Sequence, residues 1–319
     1  MGGGAEVHLH EILRRLVARG HEVTWLCCSY PGAAEEEVGD DGIRYRRRGH
    51  WALTNFNVVP MLRDELRRNS YDVVLEDINK VPFYAPLFTD LPVLAVIPHL
   101  FGRTVFRETN AAFASYVWLS EQPLAWIYRR SLFMAISEST RDDLVHRGVD
   151  RDRIEVVYCG MDHERYQLDD PPARGTSPRI VHLGRLRRYK SVDVVLRALA
   201  RIREVFADAE LDVIGDGPDR PRLIELATSL GLEGAVHFHG HVPRQQIVEM
   251  LHRSHLFLNP SPKEGWGLTV IEANECGVPV VASRRPGLVD SVRDRETGLL
   301  ADYGDDADFA AKALQLLTD

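Results

Sequence analysis

The segment PSPKEGWGLTVIEANECGVPVVAS, residues 260–283, holds two glutamates eight positions apart, Glu264 and Glu272. An apolar run ends at Asn259. Glu264 follows in a turn with Gly265 and Gly267, and a helical pattern then carries Glu272. Eight residues span about two helical turns, so both carboxylates can lie on one side. A carboxylate accepts hydrogen bonds from a pair of hydroxyls, free N–H groups at a helix start suit a diphosphate, and glycines let that backbone come close. Either glutamate alone would read as an ordinary acid near a helix start. Upstream, HLGRLRRYKSVDVVLRALA sets Gly184 and Arg185 at a strand end and Lys190 five residues on, just before a helix. A guanidinium can bind two phosphate oxygens at once, and an ammonium adds a point charge. Such a pair could carry the negative charge of a departing diphosphate without a metal. Arg187 and Arg188 read as surface residues.

The 260–283 segment resembles the E-x7-E signature of the family-4 glycosyltransferases, retaining enzymes of the GT-B fold. The likeness is carried by Pro260, Ser261, Gly265, Gly267, Leu268, Gly277, Pro279, Val280, Val281 and Gly287 around the two glutamates. It implies that Glu264 contacts the transferred sugar and Glu272 the ribose of a nucleotide-sugar donor, UDP- or GDP-linked. It adds Gly184, Gly265, Gly267, Leu268 and Thr269 as donor contacts, and gives the leaving-group task to Arg185 and Lys190. One departure is Ser191, where glycine is commoner. Gly3 and Gly4 resemble the family's first Gly-rich turn, near the donor phosphates. Polyglycine at a terminus is the plainer alternative, but the following AEVHLHEILRRL fits the helix expected there. His99 ends PVLAVIPH, where the family often places a histidine near the donor sugar. Gly215-Asp216-Gly217-Pro218 has Arg220 in place of the third glycine of a dinucleotide fingerprint, so it is read as a G-x-G-P turn near the donor. Tyr158–Asp162 stands where Asn-Gly-Val-Asp is usual. The resemblance implies a metal-independent enzyme with no cofactor, acting on a glycan, lipid or small-molecule acceptor. A nucleotide-sugar epimerase of the same fold, or a truncated and inactive donor-binding protein, are the alternatives.

These residues need a scaffold, and the chain supplies one in two halves. HEVTWLCC, YDVVLED, PVLAVIPH, FMAIS and IEVVYCG are short apolar runs that read as strands buried on both faces. Glu6–Ala18 reads as a helix ended by Gly20, and Ser137 as the cap of the next helix after FMAIS. QLDDPPARGTSP, residues 167–178, has no apolar period and reads as a linker. A second set follows: strands at 179–185, 211–217, 235–240, 256–261 and 279–283, with helices at 192–206, 218–230, 244–253, 268–276 and 306–317. The expectation is two doubly wound Rossmann-like α/β domains facing across a cleft, at 1–170 on the acceptor side and 171–319 on the donor side. The chain opens inside the first Gly-rich turn, so the usual first strand is expected to be missing.

Composition bounds the rest. The chain has 319 residues, 45% hydrophobic and 27% charged, with 39 basic and 47 acidic residues and a net charge of -8. That is a globular balance, and it argues against nucleic acid as a partner. The four cysteines, Cys27, Cys28, Cys159 and Cys276, form no C-x-x-C pair and read as reduced thiols. His8 and His10 read as helix-surface residues rather than metal ligands, with no carboxylate placed beside them. No apolar run has transmembrane length, and no signal-peptide layout is present, so the expectation is a soluble cytoplasmic protein. The basic and aromatic run from Tyr45 to Trp51 reads as a solvated edge strand; an acceptor or peripheral membrane-surface contact at the inner face is the alternative.

Overall fold

The computed structural model describes residues 4–50, 54–107 and 109–318, and Gly3 lies outside them. The chain forms two compact units, Met1–Tyr158 and Cys159–Asp319. This division precedes the expected one at 170/171 because Tyr166 is 2% exposed, set among the second unit's apolar residues. The stretch before the Pro-rich linker is therefore anchored to the second unit.

In the first unit, α1 (Gly4–Ala18) buries Leu9 and Leu13 against Ile43. Gly20, at φ +91°, ends it: the N–H groups of Gly20 and His21 turn back to the carbonyls of Val17 and Leu16. Next come β1 (Thr24–Cys27), β2 (Glu36–Val38) and β3 (Arg44–Arg47), in a sheet of order β1-β3-β2. After α2 (Thr54–Arg68), a parallel sheet of order β4-β5-β6-β7 is built from β4 (Val74–Asp77), β5 (Val93–Ile97), β6 (Leu132–Ala135) and β7 (Ile154–Val156). Between β5 and β6 stand α3 (Ala111–Glu121) and α4 (Leu124–Ile127); α5 (Glu138–His146) follows β6, capped by the Ser137 hydroxyl, which accepts from the Thr140 N–H. Among the described residues, β1 and β4 are edge strands of two separate sheets.

The basic run is corrected by this sheet. β3 is its middle strand, not an edge. Arg46 pairs with Glu36 at 2.8 Å and with Glu65, and Arg47 is buried and pairs with Glu37 at 2.7 Å. The Arg46 and Arg47 charges are tolerated inside the sheet because each has a carboxylate. His10 likewise has one: its Nε2 lies 2.7 Å from Asp41.

The second unit carries one parallel sheet of order β10-β9-β8-β11-β12-β13. Its strands are β8 (Arg179–Leu183), β9 (Glu210–Ile214), β10 (Val236–Gly240), β11 (Leu256–Asn259), β12 (Val280–Ser283) and β13 (Gly298–Ala301), the last unforeseen. Its helices are α6 (Val192–Ile202), α7 (Arg220–Ser229), α8 (Arg244–Arg253), α9 (Leu268–Glu275), α10 (Leu288–Ser291) and α11 (Asp306–Thr318). Alternate strand residues feed opposite faces. Leu256 and Leu258 join Val195, Leu199 and Phe309 on one side, while Phe257 joins Val248, Val270 and Leu288 on the other. The order runs outward in both directions from β8 and β11. Their adjacent carboxyl ends form the switch point where an open α/β sheet has its crevice.

Candidate functional site

Two loops leave that switch point. The first follows β8 and makes a single 3-10 turn, Arg188–Lys190, before α6. Ser191 closes it at φ 56°, a left-handed conformation that suits glycine, which gives the departure seen in the sequence a backbone cost. The second loop follows β11 and carries Glu264 to the start of α9. Across them Lys190 Nζ donates to Glu264 Oε1 at 2.5 Å. Burial works against the Lys190 ammonium, but the Glu264 and Tyr189 charges more than offset it, so the amine stays protonated above its ordinary range. Arg185 is exposed, and its charge reaches Lys190. The structure thus brings Arg185, Lys190 and Glu264 together.

Glycines set how closely these loops pack. A Cβ at Gly215 would stand 2.1 Å from the Gly184 carbonyl oxygen, and one at Gly217 would stand 2.2 Å from that of Leu186. Neither side chain could exist there without moving the β8 loop. Gly267, at φ 83°, starts α9, whose N-terminus has no side-chain cap. Its first N–H groups, from Leu268 and Thr269, are the kind that meet an anion. Glu264 lies in the loop ahead of this helix; Glu272 is in its second turn.

Glu272 has a different set of partners. Tyr166 donates its hydroxyl to Glu272 Oε1 at 2.6 Å, and Arg244 reaches the same oxygen at 3.3 Å. Arg244 also bonds the Tyr166 hydroxyl and lies 4.9 Å from its ring centre. Burial raises the Glu272 carboxyl above its ordinary range, although Tyr166 and Arg244 both pull it down. Beneath the β8 loop, His182 is buried, with Nδ1 2.9 Å from the Leu258 carbonyl of β11. Burial, helped by the Lys190 charge, pushes it down to about 4, so it stays neutral and ties β8 to β11. Its Nε2 has no hydrogen-bond partner among the described residues.

The remaining expected site residues, Gly4 and His99, belong to the first unit. Gly4 is the exposed first residue of α1; His99 follows β5, its ring 4.8 Å from that of Phe101. Tyr166, Arg244 and His182 were not foreseen. One local signal existed: Arg244 is the first residue of α8, where a cation opposes the helix dipole and needs a reason. Among the described residues no group of three His, Cys, Asp or Glu could hold a metal ion.

Comparison with known proteins adds the following. Residues 2–165 match the family model described as Glycosyltransferase Family 4, and residues 165–319 match Glycosyl transferases group 1. A D-inositol 3-phosphate glycosyltransferase of Rhodococcus jostii (strain RHA1) is 40% identical over 191 residues, which are 55% of this chain and 42% of that protein. An N-acetyl-alpha-D-glucosaminyl L-malate synthase of Bacillus anthracis is 37% identical over 174 residues, 52% of this chain and 45% of that protein. The chain thus matches less than half the length of these curated relatives. Among solved structures, the sucrose-phosphate synthase of Thermosynechococcus elongatus superposes with a TM-score of 0.81 at 19% identity, covering 100% of this chain and 85% of that one. The fold is that of the GT-B glycosyltransferases.

Proposed function

The chain belongs to Glycosyltransferase Family 4, and from that premise we propose that it moves a sugar from a nucleotide-sugar donor to a hydroxyl acceptor with retention at the anomeric carbon. The observation that carries the reading is the Lys190–Glu264 contact at the switch point, with Arg185 beside it. A diphosphate placed at the uncapped start of α9 would meet helix N–H groups on one side and two cations on the other. As the bond from the anomeric carbon to the diphosphate breaks, charge grows on the departing oxygens. Arg185 and Lys190 meet that charge without a metal. The acceptor hydroxyl attacks from the face the diphosphate leaves, and its proton passes to the leaving diphosphate oxygen. Glu264, held by Lys190, orients the sugar hydroxyls, and Glu272 takes the ribose.

UDP- and GDP-sugars are the proposed donors, and Arg185→Ala and Lys190→Ala test the assignment. Each should lower turnover in donor hydrolysis and transfer by about 10²–10³-fold while the folded spectrum persists. Unchanged rates in both would remove it. The relatives are named as a D-inositol 3-phosphate glycosyltransferase and an N-acetyl-alpha-D-glucosaminyl L-malate synthase, which favours a small hydroxylated acceptor. An epimerase would convert the donor with no acceptor present, and none of the relatives named above is one.

A second surface supports peripheral membrane contact. No helix among the described residues is long and apolar enough to cross a membrane. Phe113, Tyr116 and Leu119 nevertheless stand exposed at three-residue spacing on α3, followed by Trp126 on α4. Arg103, Arg129 and Arg130 are exposed nearby in sequence, in a chain of net charge -8. Aromatic rings flanked by arginines suit an anionic bilayer interface. Vesicles containing phosphatidylglycerol should sediment the protein, and Leu119→Ser with Trp126→Ser should abolish this. Equal binding to neutral phosphatidylcholine vesicles would count against it.

A further inference from the structure

Every hydrogen bond that the described residues give the Glu272 carboxylate falls on one of its two oxygens. Tyr166 donates to Oε1 at 2.6 Å, and both terminal nitrogens of Arg244 approach Oε1, at 3.3 and 3.4 Å. The oxygen Oε2 receives none. The donors are themselves fixed. The Tyr166 ring is 2% exposed and packs in the second unit's core, and its backbone carbonyl lies 2.8 Å from His252 Nε2. Arg244 lies against that ring, 4.9 Å from its centre.

The arrangement also runs against local preference. Arg244 heads α8, where the helix dipole disfavours a cation. A group that breaks a local rule while meeting a specific partner marks a position kept for that partner. The partner here is a carboxylate 28 residues away in sequence, and Tyr166 is 106 away from it.

Resting on the reading of Glu272 as the ribose carboxylate, we propose that Tyr166 and Arg244 are positioning residues that hold Glu272 by Oε1 and present Oε2 to the ribose hydroxyl pair of the donor. With one oxygen anchored, the carboxylate cannot rotate away, and the ordering of its rotamer is already complete before the nucleotide arrives. The pair thereby sets the preference for a ribonucleotide over a nucleotide lacking those hydroxyls.

Calorimetric titration of UDP and GDP, each against its 2′,3′-dideoxy form, tests this on the full chain. The wild type should bind the ribo form of its preferred nucleotide more tightly, and Glu272→Gln should remove most of that preference. Tyr166→Phe keeps the buried ring and loses only the hydroxyl; it should cut the preference by about threefold to tenfold while affinity for the dideoxy form stays unchanged. The exposed Arg244→Ala should act in the same direction and carries the test if Tyr166→Phe fails to fold. If Glu272→Gln removes the preference but Tyr166→Phe and Arg244→Ala leave it intact, or weaken both ligands equally, the positioning role is overturned and the ribose reading stands. If wild type shows no preference, or Glu272→Gln leaves it unchanged, the ribose reading itself falls.

Discussion

Asp77 closes β4 with one carboxylate oxygen buried and no hydrogen-bond partner for it among the described residues. Burial, then the charges of Glu6 and Glu76, pushes its carboxyl from 3.8 up to about 7. The folded state therefore holds a proton that the unfolded chain releases near 3.8. Stability from this group is fully present below that value and is lost as pH rises through about 7. Asp77→Asn cannot lose a proton. It should melt a few degrees above the wild type near pH 8, with the gap closing near pH 4; a scanning melt at both pH values checks it, and an equal gap at both would contradict the burial argument. The site residues show what a sequence can and cannot disclose at this scale. The places of Lys190 and Glu264 at two loops and of Glu272 on the helix that follows were legible from motif spacing. The Tyr166–Glu272 contact joins residues 106 apart in sequence, and no local pattern encodes it.

Elements explain the rest of the difference. The runs forming β11 and β12, LFLN and VVAS, are apolar on both faces, so their strand character was evident in the sequence. β2 and β3 read EEV and RYRR, with no apolar run to mark them; β3 is held as the middle strand by its pairing with β1 and by ion pairs to β2. α3 reads AAFASYVWLSE, apolar on several sides, so it offers no helical stripe to detect. A turn glycine sets how closely the Glu264 loop is packed. A Cβ at Gly287 would lie 2.1 Å from the Glu264 carbonyl oxygen, at a φ of 81°. Gly277 has a similar φ of 69°, but a Cβ there meets only the Arg174 side chain at 3.6 Å. Gly287→Ala should cost roughly 2–3 kcal/mol and weaken nucleotide binding, because the Glu264 loop must move. Gly277→Ala should cost about 1 kcal/mol and leave binding unchanged. Denaturant melts with titration of UDP or GDP separate the two, and equal loss of binding in both would show that the glycine at 287 has no special hold on the loop.

At the scale of the whole molecule, the two units are not equally built. The second has one continuous parallel sheet with large buried clusters on both faces. Among the described residues of the first, the strands fall into two sheets, β1 and β4 are both edges, and the buried residues form three smaller clusters. Edge strands leave a row of backbone groups with no ladder partner, and smaller clusters bury less apolar surface. The first unit should therefore unfold first, giving two calorimetric transitions rather than one. Lys190, Glu264, Glu272 and the start of α9 all lie in the second unit. A ligand that binds only the folded form stabilises what it binds, by about 2.7 kcal/mol at a hundredfold excess over its Kd. For a unit of this size that is roughly 5–10 °C. Saturating UDP or GDP, whichever binds, should move the upper transition by that amount and leave the lower one in place. A shift confined to the lower transition would put the nucleotide on the other unit and remove the donor site proposed for residues 184–191 and 264–272.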